Sequence, residues 1–572
     1  MLDCLITGGT VVDGTGAPAR RADVAIRDGR VVAVAEPGGV DEPAARTVDA
    51  GGLVVAPGVV DIHTHYDAQL FWDPTASPSP LHGVTTIVAG NCGFTIAPLD
   101  PAHADYMARM LARVEGMPLE ALKEGVPWDW KTFGEYLDRL EGRTAVNAGF
   151  LVGHSAIRKF VMGDDARQPA TEAQIERMAQ VLHESLAAGG LGFSSSHAAT
   201  HNDGDGQPVP SRFASRDELV SLARVVGEHT GTTLEFIPVV GPFSEEHMEL
   251  MAAMSAAANR PLNWNLLAVT AGNEEAYRHQ LSASDYAAAR GGRVVALTVP
   301  DPVQTRLSFH TGFILDAVPG WADFFKLPVA ERVAVLSDPE KRRQLNATAQ
   351  TGDSPLRFLT RWETIRIGET FAPGLSRYEG RLVGDIAAAE GKDPWDALCD
   401  ILVADELRTG LYPPLFGDDP QSWQRRVEVW RDPRALIGAS DAGAHLDLLA
   451  TFVYSSSVLG PSVRDRKLLP LEEAVHYLTD APARLYGLRE RGRIAPGWHA
   501  DIIVFDAERL APRPTYARFD LPAGAWRLYA EAEGMLHVLV NGVEIVHDGE
   551  FTGATPGTLL RSGRDTETVT AR

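Results

Sequence analysis

Two histidines one residue apart, His63 and His65 in PGVVDIHTHYD (57–67), are the side chains whose type and spacing say most about chemistry. Along a strand, positions two apart face the same side, so the two imidazoles stand next to each other. They close an apolar run, which places them at a strand end, and imidazole is a natural zinc ligand. The competing reading is an ordinary pair of surface or hydrogen-bonded histidines; the apolar strand before them and the acid Asp67 after them weigh against it. Far along the chain, IGASDAGAH (437–445) sets Asp441 behind a second apolar run, among small residues that permit close approach. A carboxylate there can bind a metal and take a proton from water as a general base. The plain alternative is an Asp turn closed on its own backbone. Taken together, the pair and the acid point to a metal centre.

Such a centre needs elements that carry its parts from distant positions to one place. Eight apolar runs are strand candidates: VVDIHTH, TTIVAGN, AVNAGFLVGH, GLGFSSS, TTLEFIP, PLNWNLLAV, RVVALTVP and ALIGASDAG. They alternate with amphipathic helical stretches, as parallel βαβ units do, and eight is the number that a closed (β/α)8 TIM-type barrel requires. His, Asn, Cys, Glu and Asp gather at their C-terminal ends, the face on which barrel enzymes carry their chemistry. Residues 1–58 and 489–572 are instead short β-rich runs between Gly, Asp and Pro breaks. The expected organisation is an α/β chain: a barrel over 59–488 and one small β-domain built from both termini. Residues 101–142 read as a helical insertion after the second strand. Residues 302–430, rich in Trp, Pro and Arg and poorly patterned, read as a second insertion that covers the barrel mouth.

Composition narrows the function classes. The chain has 572 residues, 45% of them hydrophobic, enough for a large core and more than one compact unit. Its formal net charge of −23 argues against nucleic acid or an anionic membrane as partner, since both need a basic footprint. Three cysteines make no disulfide framework, the N-terminus lacks the basic and apolar regions of a signal peptide, and no long apolar run exists. These features point to a soluble cytoplasmic protein acting on a small molecule; a homo-oligomer is compatible with them.

The segments VVAPGVVDIHTHYDAQLFWDP, LHGVTTIVAGNCGF, LVGHSAIR, SDAGAH and APARLYGLRERGRIAPGWHADIIVFD resemble the amidohydrolase superfamily. Within it they resemble the D-aminoacylase (N-acyl-D-amino-acid deacylase) branch, over nearly the whole chain. The resemblance implies a (β/α)8 barrel with a small β-sandwich formed by both termini, and one or two Zn2+ ions. It implies that His63 and His65 are ligands from the first strand and that Asp441 is the eighth-strand ligand and proton shuttle. Cys92 in GNCGF matches a zinc-coordinating cysteine, where many relatives use a carboxylated lysine; by its type alone it reads as a small buried hydrophobe. His154 in LVGHSAIR matches a family histidine expected to line the pocket and aid the oxyanion, or else to be a core histidine.

The departures lie in the later strands. Family members usually carry histidines there, yet PLNWNLLAV and RVVALTVP have none. Glu235, Asn263 and Asn265 are the polar residues offered instead, Glu235 as ligand or as a pocket or core acid. His197 and His201 could supply a missing nitrogen or belong to a polar loop. A free substrate carboxylate calls for an arginine, with Arg212, Arg306 and Arg361 as candidates and Arg212 preferred. The function expected is zinc-dependent hydrolysis of an amide C–N bond in an N-acyl-(D-)amino acid or related small amide. A cyclic-amide hydrolase on the same fold is the alternative, and a lapsed enzyme kept as a binding protein is the third reading.

Overall fold

Runs of β-branched residues at the two ends of the chain pair with each other. Val54–Pro57 lies antiparallel to Ile502–Phe505, with Ile503 opposite Ala56, and parallel to Leu2–Val11. Pairing continues outward through Met535–Val540, Val543–His547 and Glu550–Phe551 on one side and Arg20–Arg27 and Arg30–Ala35 on the other, and with Ala44–Asp49 parallel to Leu2–Val11 this gives a nine-stranded sheet. Alternate residues Leu2, Cys4 and Ile6 are buried, the period-2 pattern of a half-buried strand. The computed structural model describes residues 1–312, 314–350 and 357–572; positions 313 and 351–356 of the expected second insertion lie outside the described residues.

Between the two ends every expected strand forms, and all pair in parallel. Val59–Asp61, Val84–Ala89 and Asn147–Phe150 make a three-stranded sheet. Val152–Gly153, Gly192–Ser196, Thr233–Ile237, Pro261–Leu267, Arg293–Thr298 and Ala435–Ile437 make a six-stranded one in that order. Only Leu151 separates the two sheets along the chain, and a parallel bridge between Thr64 and Ala442 joins the first strand's end to the last's. Amphipathic helices such as Glu172–Ala187 and Arg216–Gly227 follow the strands, each started by a side-chain cap, Thr171 and Ser215. Val60, Ile62, Val88, Leu151, Val295, Leu297 and Ala439 meet in one buried cluster.

The two insertions behave differently from each other. Residues 101–142 form helices Ala104–Val114, Leu119–Gly125 and Phe133–Leu140 that pack into the main core. Residues 302–430 carry a separate core around Leu307, Phe309, Trp321, Trp362 and Trp395, with the Trp321 and Trp362 rings stacked 5.7 Å apart. The absence of pattern in the sequence concealed helices such as Val329–Ser337, Pro339–Ala349 and Pro394–Ala404. No helix among the described residues is long and apolar enough to cross a membrane.

One polar joint ties the terminal sheet to the parallel strands. Asp501 accepts from Arg491, from Asn147 Nδ2 (3.1 Å) and from the Asn541 backbone N–H (2.9 Å), while Asn541 Nδ2 donates to Asn147 Oδ1 (2.9 Å). Arg491 and Asp501 are both buried. Removing one partner of a buried ion pair leaves the other charge uncompensated, at a cost of roughly 3–5 kcal/mol. Asp501→Ala is therefore expected to lower the thermal midpoint by several degrees, read by differential scanning calorimetry. An unchanged midpoint would show that the joint contributes nothing to stability.

Candidate metal centre

The first strand ends at Asp61, and backbone hydrogen bonds hold the next four residues from both sides. Thr64 N–H donates to Val88 O of the second strand (3.0 Å), and His65 N–H donates to Ala442 O beyond the last strand (2.7 Å). Ser440 Oγ donates to His63 O (3.1 Å). His63 and His65 are thus fixed between the second and eighth strands, their rings edge to face at 5.4 Å. Gly443, at φ +89°, lets the 441–445 loop close on them, since a Cβ there would sit 2.8 Å from the carbonyl carbon of His65. Cys92 and Asp441 both take left-handed backbone conformations, φ 58° and 51°. For residues bearing a Cβ this is strained, and such strain clusters at functional sites.

Four side chains converge. Cys92 Sγ is 3.4 Å from His63 Nε2 and 3.9 Å from His65 Nε2; Asp441 Oδ1 is 3.2 Å from His63 Nε2 and 3.6 Å from His65 Nε2. Donors around a tetrahedral zinc, with Zn–S of about 2.3 Å and Zn–N or Zn–O of about 2.0–2.1 Å, sit roughly 3.3–3.6 Å apart. The spacing fits a divalent ion of that size. The charges fit as well. Burial pushes the Cys92 thiol well up, and Glu235, Glu115 and Asp441 push it further, so alone it stays protonated. A metal is what would ionise it. Burial also raises Asp61 to about 7, Asp67 to about 6, Glu115 to about 7 and Glu235 to about 8. No lysine or arginine is among the described residues lining the cleft that would compensate these acids. Asp441 differs: burial raises its carboxyl, but the two imidazoles more than offset this and hold it well below the ordinary carboxylate range.

The cleft beside these donors has a volume of about 390 Å3 and is lined by His65, Cys92, Asn265, His201, Asp441 and His445, among others. Asn265 Nδ2 lies 3.2 Å from His63 Nε2. His201 bonds Ser196 Oγ through Nδ1 (2.8 Å), and burial lowers it to about 3. Glu235 stands behind the cleft: its Oε2 accepts the Cys92 backbone N–H at 2.8 Å, bracing the loop that presents the thiol.

Three expectations need correction. His154 does not line the cleft. Its ring nitrogens bond Ser195 Oγ and Glu218 Oε1, both at 2.8 Å, in a fully buried network with Arg158, so no face is left for an oxyanion. His197 packs edge-on against Phe236, outside the cleft lining. Arg212 donates to His201 O (3.2 Å) and Asn202 Oδ1 (3.0 Å) and so braces the loop carrying His201 instead of facing the cleft. Of the other arginines, Arg361 sits beside Glu363 at the surface and Arg306 pairs with Glu369. Four polar cleft residues escaped sequence reasoning, Glu115, Asn273, Gln280 and His445, of which Glu115 and His445 are titratable. Glu115 follows the insertion helix Ala104–Val114 and brings Oε1 to 3.3 Å from His65 Nδ1. His445 lay within the SDAGAH motif, four residues after Asp441, which was the available signal.

Parallel strands that present two buried histidines and a buried cysteine, with a partly exposed aspartate beside them, at their C-terminal ends give an α/β site suited to a metal. The sequence pattern of the Amidohydrolase family matches residues 46–546, and the chain belongs to that family. It is 30% identical to D-aminoacylase of Alcaligenes xylosoxydans xylosoxydans over 568 residues, covering 98% of this chain and 97% of that protein. The crystal structure of N-acyl-D-glutamate deacylase from Bordetella bronchiseptica, complexed with zinc and a phosphonate mimic of the tetrahedral intermediate, matches with a TM-score of 0.63 at 26% identity. That match covers 98% of this chain and 100% of the other. A D-aminoacylase structure with a binuclear metal centre matches with a TM-score of 0.64 at 27% identity, over 98% and 100% of the two chains.

A carboxylate behind a metal-ligating imidazole fixes its tautomer and orientation, and losing it typically costs roughly 10–100-fold in metal affinity. Glu115→Gln is expected to weaken zinc binding by about that factor, measured by competition with a chelator. Unaltered affinity would mean that Glu115 does not support His65.

Proposed function

We propose that this chain is a zinc-dependent hydrolase of N-acyl-D-amino acids or closely related small amides. The observation that carries the reading is the convergence of His63, His65 and Cys92, whose donor atoms all lie within 4.8 Å of one another, with Asp441 beside them. Similarity to deacylases of N-acylated D-amino acids over 98% of the chain supports the substrate class. The parallel order of the two inner sheets and the Thr64–Ala442 bridge between the first and last strands support a closed (β/α)8 barrel over 59–488, and the pairing of the two chain ends supports 1–58 and 489–572 as the two parts of a β-sandwich domain. Three unpaired, buried cysteines support a cytoplasmic setting.

His63, His65, Cys92 and Asp441 would hold one zinc ion. When bound, the ion supplies Lewis-acid polarisation of water and of the scissile carbonyl. Asp441, ionised and in part exposed to the cleft, is placed to accept a proton from the attacking water and return it to the leaving nitrogen. Asn265, Asn273, Gln280 and His201 line the cleft and offer polar groups to an amide substrate and its carboxylate, a role no arginine fills there among the described residues. The later strands PLNWNLLAV and RVVALTVP lack the histidines that the family resemblance leads one to expect, and Asn263 and Asn265 of the first of them are neutral, which favours one ion over two.

The test pairs chemistry with metal analysis. General acid–base groups typically contribute about 10²–10⁴-fold in rate. Asp441→Asn is expected to lose activity on N-acetyl-D-amino acids in that range while remaining folded. Activity within a few-fold of the parent in a metal-loaded Asp441→Asn protein would remove the proposed base. Faster turnover of cyclic ureides than of N-acyl-D-amino acids by the parent would favour the cyclic-amide reading. Failure to take up zinc in stoichiometric amount would favour a binding protein.

A further inference from the structure

A second cavity, of about 720 Å3, lies outside the metal cleft. Its walls come from four separate parts of the chain: residues 112–120 of the first insertion, residues from 310 to 408 of the second, Asp447 after the last parallel strand, and residues 519–526 of the C-terminal part. The first insertion serves both spaces, with Val114 and Glu115 facing the metal cleft and Arg113, Gly116 and Met117 facing the outer cavity.

The outer cavity concentrates positive charge in an acidic protein. Arg332, 7% exposed, lines it and gives Nε and one terminal nitrogen to the backbone oxygens of Leu327 (3.0 Å) and Phe309 (2.6 Å). Among the described residues no carboxylate forms an ion pair with it. A buried guanidinium with backbone acceptors alone remains short of a counter-charge. Burial lowers the His310 imidazole, and the nearby Arg332, Arg408 and Arg306 lower it further, so three guanidiniums converge on this wall. Arg306 lies behind it, 1% exposed, stacked on the Trp526 ring at 4.6 Å, with Nη1 lacking any hydrogen-bond partner. Arg306 pairs with Glu369 and Arg408 lies 3.9 Å from Glu406, which leaves Arg332 as the one of the three without a carboxylate partner among the described residues. Asp447 is buried, accepts the Thr311 hydroxyl and is pushed upward by burial; Asp316 is committed to Arg113 at 2.7 Å; Glu120 is exposed.

Beside these cations the cavity presents aromatic rings. Phe371 and Phe519 meet edge to face at 6.1 Å, Arg408 lies 5.4 Å from the Phe371 ring, and Trp526 completes the wall. Phe519 is 58% exposed, an expensive position for a phenyl ring unless something covers it. Buried unpaired guanidinium beside uncovered aromatic surface is complementary to one kind of ligand, an anion with an apolar body.

We propose that the outer cavity is a binding site for an organic carboxylate carrying an aromatic or acyl body, with the carboxylate held by Arg332 and Arg408 and the body against Phe371, Phe519 and Trp526. The site lies outside the metal cleft, and only the first of its two ligand sources rests on the proposed amide chemistry. The ligand is either the far end of a long substrate or an independent small molecule, and the two share this chemistry.

Isothermal titration of the zinc-loaded protein with 4-phenylbutyrate, and with the uncharged 4-phenylbutyramide, tests the assignment. Saturable binding of the acid and much weaker binding of the amide are expected. Arg332→Met and Arg408→Gln should each weaken the acid about tenfold or more, the loss expected for a charge-assisted hydrogen bond. Phe519→Ala, on the surface and safe for folding, should weaken both probes, and turnover of a small N-acetyl amino acid should stay within a few-fold in all three variants. Competitive inhibition by the acid would identify the far end of a substrate, and non-competitive inhibition an independent ligand. No saturable binding to the parent, or equal affinity in Arg408→Gln and Phe519→Ala, would overturn the proposal.

Discussion

Taking a carboxylate out of water costs several kcal/mol unless a cation faces it. Around His63 and His65 this chain buries Asp61, Asp67, Glu115 and Glu235, together with a thiol, and lines the adjoining cleft with no described lysine or arginine. Two imidazoles cannot balance so many acids. A divalent ion at the His63–His65–Cys92–Asp441 focus would do so, and would turn each awkward group into a useful one. The thiol would become a ligand and Glu115, 3.3 Å from His65 Nδ1, would orient that ring, while Asp67 accepts the Gly90 N–H (3.1 Å) at the start of the Cys92 turn. A metal site explained by its ligands alone would leave these supporting acids without a reason.

The fold supplies the positioning that this charge arrangement demands. Side chains from the end of the first strand, the loop after the second and the loop after the last come together at one point, with Thr64 bridged to Ala442 between the first and last strands. Each of these residues is held at its own backbone: His65 N–H by the Ala442 carbonyl, His63 O by the Ser440 hydroxyl, and Cys92 N–H by the Glu235 carboxylate. The left-handed turns at Cys92 and Asp441 aim side chains that an extended backbone would point elsewhere. Tight packing of strands and helices maintains that strain. The helical insertion adds the final wall, bringing Glu115 to His65 from outside the parallel strands.

What could be read from the residues divides along physical lines. The His63/His65 pair and Asp441 were legible because period-2 alternation and a preceding apolar run fix both their facing and their place at a strand end. Strand existence followed from β-branched runs. The pairing of the two chain ends was legible because both have the same turn-rich texture. His154 was misplaced because a motif names a residue without saying which way its helix turns it; here it turns toward Glu218 and Arg158. Glu115 was invisible because an acid next to an amphipathic helix is usually solvated, and only tertiary packing buries it. The core of 302–430 escaped notice because it is held by rings distant in sequence, Trp321, Trp362 and Trp395, and not by a local period.

The two cavities share the 113–117 wall but have opposite electrostatics, acids around an expected cation in one and guanidiniums around an expected anion in the other. The metal assignment underlies the catalytic account, and X-ray absorption at the zinc edge addresses it most directly, on protein loaded with one equivalent of zinc. The account predicts one sulfur neighbour at about 2.3 Å with nitrogen and oxygen neighbours at about 2.0–2.1 Å, and loss of the sulfur in Cys92→Ser. A first shell of nitrogen and oxygen alone in the parent protein would contradict it.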